Sequence, residues 1–270
     1  MKILKKIHDL KKAIKNDSNL GYVPTMGGLH EGHISLIKKS KKKCKRTLVS
    51  IFVNPKQFNS KKDFDKYPRN LLNDLYILDK LKVDYVFLPK KNEIFKKKRL
   101  IKIKLKKSEK ILCAKFRKGH FEGVLDIMDR FIKLIKPNYI FLGEKDFQQI
   151  FLIKKLIKNK YKSLIYSCKT IRDNNYAPLS TSNYLLSKRD LYKVGSISRI
   201  LKKLKIDIGN KPLFKNYLFS FKKELSQKFN IKVEYLDCRD EKTLITSNIK
   251  KKYRIFIAYY INKVRLIDNL

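Results

Sequence analysis

The chain has 270 residues, enough for one large domain or two modest ones, and a hydrophobic content of 43% is ample for a packed core. A formal charge of +42 would ordinarily point to nucleic acid, but lysine is spread along nearly every segment, Asn, Ile, Tyr and Phe are plentiful and Trp is absent, so the charge reads as solvated faces that attract anions at low salt, with no specific nucleic-acid site. Four widely spaced cysteines without a CxxC pair (Cys44, Cys113, Cys168, Cys238) exclude a zinc ribbon or disulfide frame and fit reduced thiols of a cytoplasmic protein, and no apolar run approaches the ~18 residues of a membrane span.

Met1 to Lys15 carries apolar and lysine residues at helical spacing, without the continuous apolar core of a signal peptide. Strands are then predicted at Leu20–Val23, Thr47–Val53, Asp84–Leu88, Tyr139–Leu142 and Ser163–Ser167. Helices are predicted between them at Gly32–Cys44, Arg69–Leu81, Phe121–Ile135 and Phe147–Asn159. Such alternation predicts an α/β fold, a Rossmann-like parallel sheet flanked by helices, with ligands at the strand C-termini. Lys96–Lys110 is alternating and lysine-rich, and reads as an edge hairpin or an excursion from the sheet. The organisation changes near Leu186. Leu191–Lys205 and Phe214–Phe229 read as helices, and Val233–Leu236, Tyr253–Ala258 and Val264–Ile267 as strands joined by short turns. A smaller C-terminal α+β domain follows, giving domains at 1–186 and 187–270, the second closing over the site of the first.

The segment Pro24-Thr25-Met26-Gly27-Gly28-Leu29-His30-Glu31-Gly32-His33 joins the first of these strands to a helix. A helix N-terminus offers unpaired N–H groups and partial positive charge, which suits phosphate. Gly27, Gly28 and Gly32 let a large ligand approach the backbone. His30 and His33, three residues apart, can donate hydrogen bonds to phosphate oxygens as charge shifts in a reaction. A plain strand, turn and helix with two surface histidines is the alternative. The pattern resembles the HIGH signature of nucleotidyltransferases and class I aminoacyl-tRNA synthetases.

Four further blocks follow in order: Ser50–Phe58 (SIFVNPKQF), Asp63–Arg69 (DFDKYPR), Arg117–Val124 (RKGHFEGV) and Phe141–Gln149 (FLGEKDFQQ). Asn54 and Gln57 offer amide donors and acceptors just beyond a strand end, suited to a ligand bearing a carboxylate and hydroxyls, with loop capping the lesser alternative for Asn54. Gly143 allows close approach of a ligand, and Lys145 supplies a mobile cation. Taken together over essentially the whole chain, the five blocks resemble the pantothenate synthetase (pantoate–β-alanine ligase) family.

The resemblance implies condensation of pantoate with β-alanine, ATP becoming AMP and pyrophosphate through a pantoyl adenylate. It implies His30, His33 and Lys145 as catalytic residues on the phosphates. It implies Met26, Gly143, Asp146, Ile171, Ser180 and Thr181 on ATP, with Asp146 toward ribose, Ile171 bordering adenine and the two hydroxyls toward phosphate. Met26 could equally be a core methionine. Asn54, Gln57, Gln149, Arg117 and His120 are implied on the pantoate side. Mg²⁺ is implied with ATP, held mainly by phosphates, and a homodimer is implied as the assembly. The chain departs from the family pattern at Glu122 and Ser182, where arginine is usual, and at Asn174-Asn175-Tyr176, where a glycine-containing segment is usual. Lys188 or Arg189 could substitute for the missing charge at Ser182. Another HIGH-motif nucleotidyltransferase and a nonenzymatic nucleic-acid-binding protein are the competing readings.

Overall fold

Apolar runs long enough for a buried strand, each followed by a helix with one apolar face, build the first of two units, Met1–Lys169. The structure, a computed structural model, describes residues 1–96, 103–208, 214–246 and 252–270. In chain order the first unit contains β1 (Lys2–Leu4), α1 (Ile7–Ala13), β2 (Leu20–Thr25), α2 (Glu31–Lys43), β3 (Arg46–Ile51), α3 (Lys61–Asp65), α4 (Leu71–Lys80) and β4 (Tyr85–Phe87). There follow α5 (Lys91–Phe95), α6 (Leu112–Phe116), α7 (His120–Ile135), β5 (Tyr139–Gly143), α8 (Phe147–Ile157) and β6 (Leu164–Cys168). The six strands form one parallel sheet in the order β1-β4-β3-β2-β5-β6. Its central strands are buried on both faces: Tyr22, Val23, Leu48, Val49, Ile140 and Phe141 are inaccessible to solvent. Each such side chain contributes roughly 1.5–3 kcal/mol of burial. Tyr22 also satisfies its hydroxyl, 2.9 Å from Ser50 Oγ on the neighbouring strand.

The predicted strands and helices of this unit are present, with ends shifted by a few residues. The N-terminus differs. Helical spacing over Met1–Lys15 predicts one element, but Lys2–Leu4 is a strand and only Ile7–Ala13 is helical. The reason is tertiary: the three residues pair in parallel with Tyr85–Phe87, an interaction that local periodicity does not encode. Of the segment Lys96–Lys110, residues 97–102 lie outside the described residues. Its described remainder contains no strand, only a 3₁₀ turn at Lys107–Glu109, held by the Gln148 side chain, which donates to Ile111 O at 2.8 Å.

The second unit is Thr170–Leu270. Residues 170–186 therefore belong to it, and the division falls at 169/170 instead of after 186. Arg172 explains the difference, because its guanidinium makes two parallel 2.8 Å hydrogen bonds to Asp268 near the chain end. Asp268 is buried and also accepts from Ser198 Oγ at 2.7 Å. Beyond this clamp lie α9 (Lys188–Ile208), α10 (Phe214–Phe229), β7 (Lys232–Asp240), β8 (Tyr253–Ile261) and β9 (Val264–Asn269). The strands form an antiparallel meander in the order β7-β8-β9. Val194, Ile197, Leu201, Leu204 and Ile208 recur at three- and four-residue spacing on α9 and join Ile255, Ile257 and Tyr259 in this unit's core. Gly195 is the close-approach point, since a Cβ there would lie 2.0 Å from Asn175 O. Tyr176, in the segment that departs from the family pattern, takes φ +74°, the left-handed region that glycine occupies without strain. The Arg172 guanidinium lies over its ring at 4.6 Å.

Candidate active site

The chain steps from β2 outward to β3 and β4, then returns to place β5 and β6 on the other side of β2. The crevice beyond the C-termini of β2 and β5 is therefore the point where the strand order reverses, the usual ligand site of open parallel sheets. The two motif-bearing loops, Met26–His30 and Gly143–Asp146, leave these two strands.

The first loop is built on a buried carboxylate. Thr25 Oγ1 donates to Ser50 O at 2.8 Å and receives Gly27 N at 3.3 Å, closing the strand end. Gly27 and Gly28 follow with φ of +80° and +63°, a turn that any Cβ would strain. Asp74 lies beneath. It is 2% exposed and accepts Gly28 N at 2.9 Å on one oxygen and Leu29 N at 2.8 Å on the other. A Cβ on Gly27 would lie 2.9 Å from the same carboxylate, so the glycine and the aspartate are matched in space. Sequence reasoning missed Asp74. The available signal was an acidic residue on the predicted helix Arg69–Leu81, one residue before the apolar Leu75.

The clasp delivers His30 and His33 to the start of α2. His30 caps the helix, with Nδ1 accepting Gly32 N at 3.1 Å, so its hydrogen sits on Nε2. The two rings are 4.2 Å apart between centroids. Burial pushes the His33 pKa down to about 3, helped by His30 and Lys145. Burial also lowers His30 to about 4, with Lys145 adding to the effect and Asp146 opposing it. Both rings are therefore neutral at pH 7. His33 Nδ1 is buried and has no hydrogen-bond partner among the described residues. Such an orphan requires an explanation, and a ligand donor or a water would supply one.

Lys145 stands in the 3₁₀ turn Glu144–Asp146 after β5, its side chain 18% exposed, with Nζ 3.6 Å from Asp146 Oδ1. Its positive charge helps to lower the pKa of both imidazoles. A Cβ built on Gly143 meets nothing within 4 Å, which leaves open space at the strand end. Gln149 is half-buried and makes no side-chain hydrogen bond among the described residues. In the second unit, Ile171 and Ser180 are partly exposed and Thr181 is buried. The Ser180 hydroxyl oxygen accepts Ser182 N at 3.1 Å, which leaves its hydrogen available to donate.

The pantoate-side residues divide into two groups. Gln57 ends a 3₁₀ turn after β3, and its Nε2 meets the sulfur of half-buried Met26, which is a weak acceptor. Asn54 is 1% exposed and fully engaged by protein. Its oxygen accepts Lys56 N at 3.2 Å, and its nitrogen donates to Gly123 O at 3.0 Å and Gln57 Oε1 at 3.3 Å. His120 is buried with both ring nitrogens used, 2.7 Å from Gln57 O and 2.9 Å from Arg117 Nη1. Asn54, Arg117 and His120, expected on the pantoate side from the sequence, are each hydrogen-bonded within the protein. Their polar atoms hold the Gln57 turn.

The family model for pantoate-beta-alanine ligase matches residues 2–270. A pantothenate synthetase of Francisella tularensis subsp. novicida is 38% identical over 271 residues, covering 98% of this chain and 94% of the relative. The crystal structure of the Francisella tularensis pantoate-beta-alanine ligase complexed with beta-gamma ATP and beta-alanine is 37% identical. It has a TM-score of 0.84 and covers 100% of this chain and 97% of that one. A pantothenate synthetase structure from Thermus thermophilus is 27% identical with a TM-score of 0.93, covering 100% and 99%.

Two outcomes follow from the geometry of the first loop. Asp74→Ala removes the acceptor of the Gly28 N and Leu29 N hydrogen bonds, each worth roughly 1–3 kcal/mol. The variant should melt several degrees lower and lose hydrogen-exchange protection at Gly28 and Leu29, while Asp74→Asn, retaining one acceptor oxygen, should fall between it and the parent. Unaltered exchange at both amides in Asp74→Ala would remove the clasp. The histidines also link stability to pH. The unfolded chain binds protons near pH 6.5 and the folded one only near 4 and 3, so stability should fall as pH drops through that window. Chemical denaturation from pH 7 to 4 should show a shallower decline in a His30→Asn/His33→Asn variant, and identical slopes would contradict the depressed pKa values.

Proposed function

The chain belongs to the pantoate–β-alanine ligase family, and from that premise we propose how its own residues join pantoate to β-alanine as ATP becomes AMP and pyrophosphate. The observation that carries the residue assignment is the buried, neutral imidazole pair, 4.2 Å apart and under the charge of Lys145, at the strand crossover. In the proposed first step a pantoate carboxylate oxygen attacks the α-phosphate of ATP and pyrophosphate leaves. The nucleophile is already an anion, so no base is required there. Catalysis comes from positioning and from stabilising charge that moves onto the leaving phosphates. His30 and His33 serve as neutral N–H donors to phosphate oxygens, and Lys145 supplies the positive charge. In the second step the amine of β-alanine attacks the acyl carbon, AMP departs with the electron pair of the acyl–oxygen bond, and the amine loses its proton.

Gln57 and Gln149 are assigned to pantoate, with Met26 alongside. What supports them is an amide facing only a weak sulfur acceptor in one case and, in the other, an amide without a hydrogen-bond partner among the described residues. Gly143 and Asp146 are assigned to the nucleoside, supported by the open space at Gly143 and the half-exposed Asp146 carboxylate. Ile171, Ser180 and Thr181 remain nucleotide residues by resemblance. Mg²⁺ belongs to the proposal as the partner of ATP. It is carried chiefly by phosphate oxygens in this reading. A homodimer and a cytoplasmic location complete the proposal. No helix among the described residues is long and apolar enough to cross a membrane.

Exchange of labelled pyrophosphate into ATP tests the separate adenylate. ATP and pantoate alone should support it, because the first step needs no amine, and strict dependence on β-alanine would overturn the two-step reading. Lys145→Ala should slow the same exchange by about 10²–10³, the usual effect of removing one transition-state contact. Exchange at the parent rate, with a normal circular dichroism spectrum, would take Lys145 out of the site.

A further inference from the structure

We propose that His120 is a positioning residue which, together with Arg117, sets the affinity for pantoate by fixing the peptide group of Gln57; the proposal rests on the assignment of Gln57 to pantoate made above. A guanidinium has donors and no acceptor. Arg117 Nη1, 2.9 Å from His120 Nε2, therefore donates to it, and Nε2 carries no hydrogen. The hydrogen sits on Nδ1, which donates to Gln57 O at 2.7 Å. Arg117 Nη2 adds a second, longer donor to the same oxygen at 3.4 Å. The carbonyl of Gln57 is thereby held from two directions by one buried ring and one guanidinium.

The rest of the turn is gripped by the same helix. Asp126, two turns along α7, receives Lys56 Nζ at 2.9 Å, and Gly123 O receives Asn54 Nδ2 at 3.0 Å. A Cβ on Gly123 would lie 2.3 Å from Lys56 O, so the helix and the turn touch backbone to backbone. His120, Gly123 and Asp126 are spaced three apart and share one face. With the backbone fixed, the Gln57 carboxamide is oriented by Asn54 at its oxygen, and its nitrogen keeps only the Met26 sulfur. Loss of the His120 donor would let the Gln57 peptide rotate and would move the amide that meets pantoate, leaving the phosphate loop untouched.

Steady-state kinetics with pantoate and ATP varied separately test this, together with a double-mutant cycle. His120→Leu should raise the pantoate KM about tenfold, the effect of one lost hydrogen bond of ordinary strength, and leave the ATP KM within about twofold. His120→Asn places an amide N–H near the Nδ1 position and should recover most of the loss. In a Gln57→Ala background His120→Leu should add nothing. Thermal midpoints accompany each variant, and if His120→Leu does not fold, His120→Asn and Arg117→Met carry the comparison, the latter with a smaller rise confined to pantoate. Equal rises in both KM values, no rise, or a full additional rise in the Gln57→Ala background would each overturn the positioning role of His120. A normal pantoate KM in Gln57→Ala alone would overturn the assignment of Gln57 itself, and with it the role given to His120.

Discussion

The two hydrogen bonds from Gly28 and Leu29 to the Asp74 carboxylate are the constraint on which the site is built. Two consecutive residues at positive φ, Gly27 and Gly28, need glycine and turn the chain out of the strand. A buried carboxylate satisfies both amides at once, and hydrogen bonds to a charged acceptor are worth about twice those to a neutral one. Once the turn is fixed, His30 has to fall at the N-cap of α2 and His33 one turn inside it. The ring contact and the burial of both imidazoles follow from that register.

Burial also bears on the chemistry proposed for the histidines. A charged imidazole in this position would face desolvation, a second imidazole and Lys145 together. In the proposed reaction the division of labour is electrostatic: one cation on a side chain long enough to follow the phosphates, and two neutral rings that direct hydrogen bonds. A protein of such high positive charge gains nothing from two more cations here, since ATP is already attracted at long range. Geometry at short range is what remains to be supplied.

The sheet was legible because its strands are apolar runs separated by helices of 3.6 periodicity, and the crossover loops carry the glycines and histidines that mark a phosphate site. Strand β1 was not legible, because three residues gain strand character only from pairing with β4. The site was half legible. His30, His33, Lys145 and Gln57 announce themselves by residue type beside strand ends. Asp74 does not, since an aspartate in the first turn of a helix is an ordinary feature and its role depends on which loop lies above it. The internal hydrogen bonds of Asn54, Arg117 and His120 were hidden for the same reason. Polar side chains at a motif suggest ligand contact, and only three-dimensional placement shows that Gln57 O, Gly123 O and Lys56 N already satisfy them. The boundary at 169/170 was hidden likewise, because a pairing across 96 residues joins Arg172 to Asp268.

Central to the proposed function is that the His30 and His33 imidazoles are neutral before ATP arrives. Titration of the histidine Cε1–H resonances, assigned with His30→Asn and His33→Asn, measures it directly in the ligand-free protein. Both resonances should hold their neutral shifts from pH 8 down to about 5 and move only below that, in keeping with values of about 4 and about 3. Titration of either ring near 6.5, the ordinary value for an exposed histidine, would contradict the account and return a positive charge to the imidazole pair.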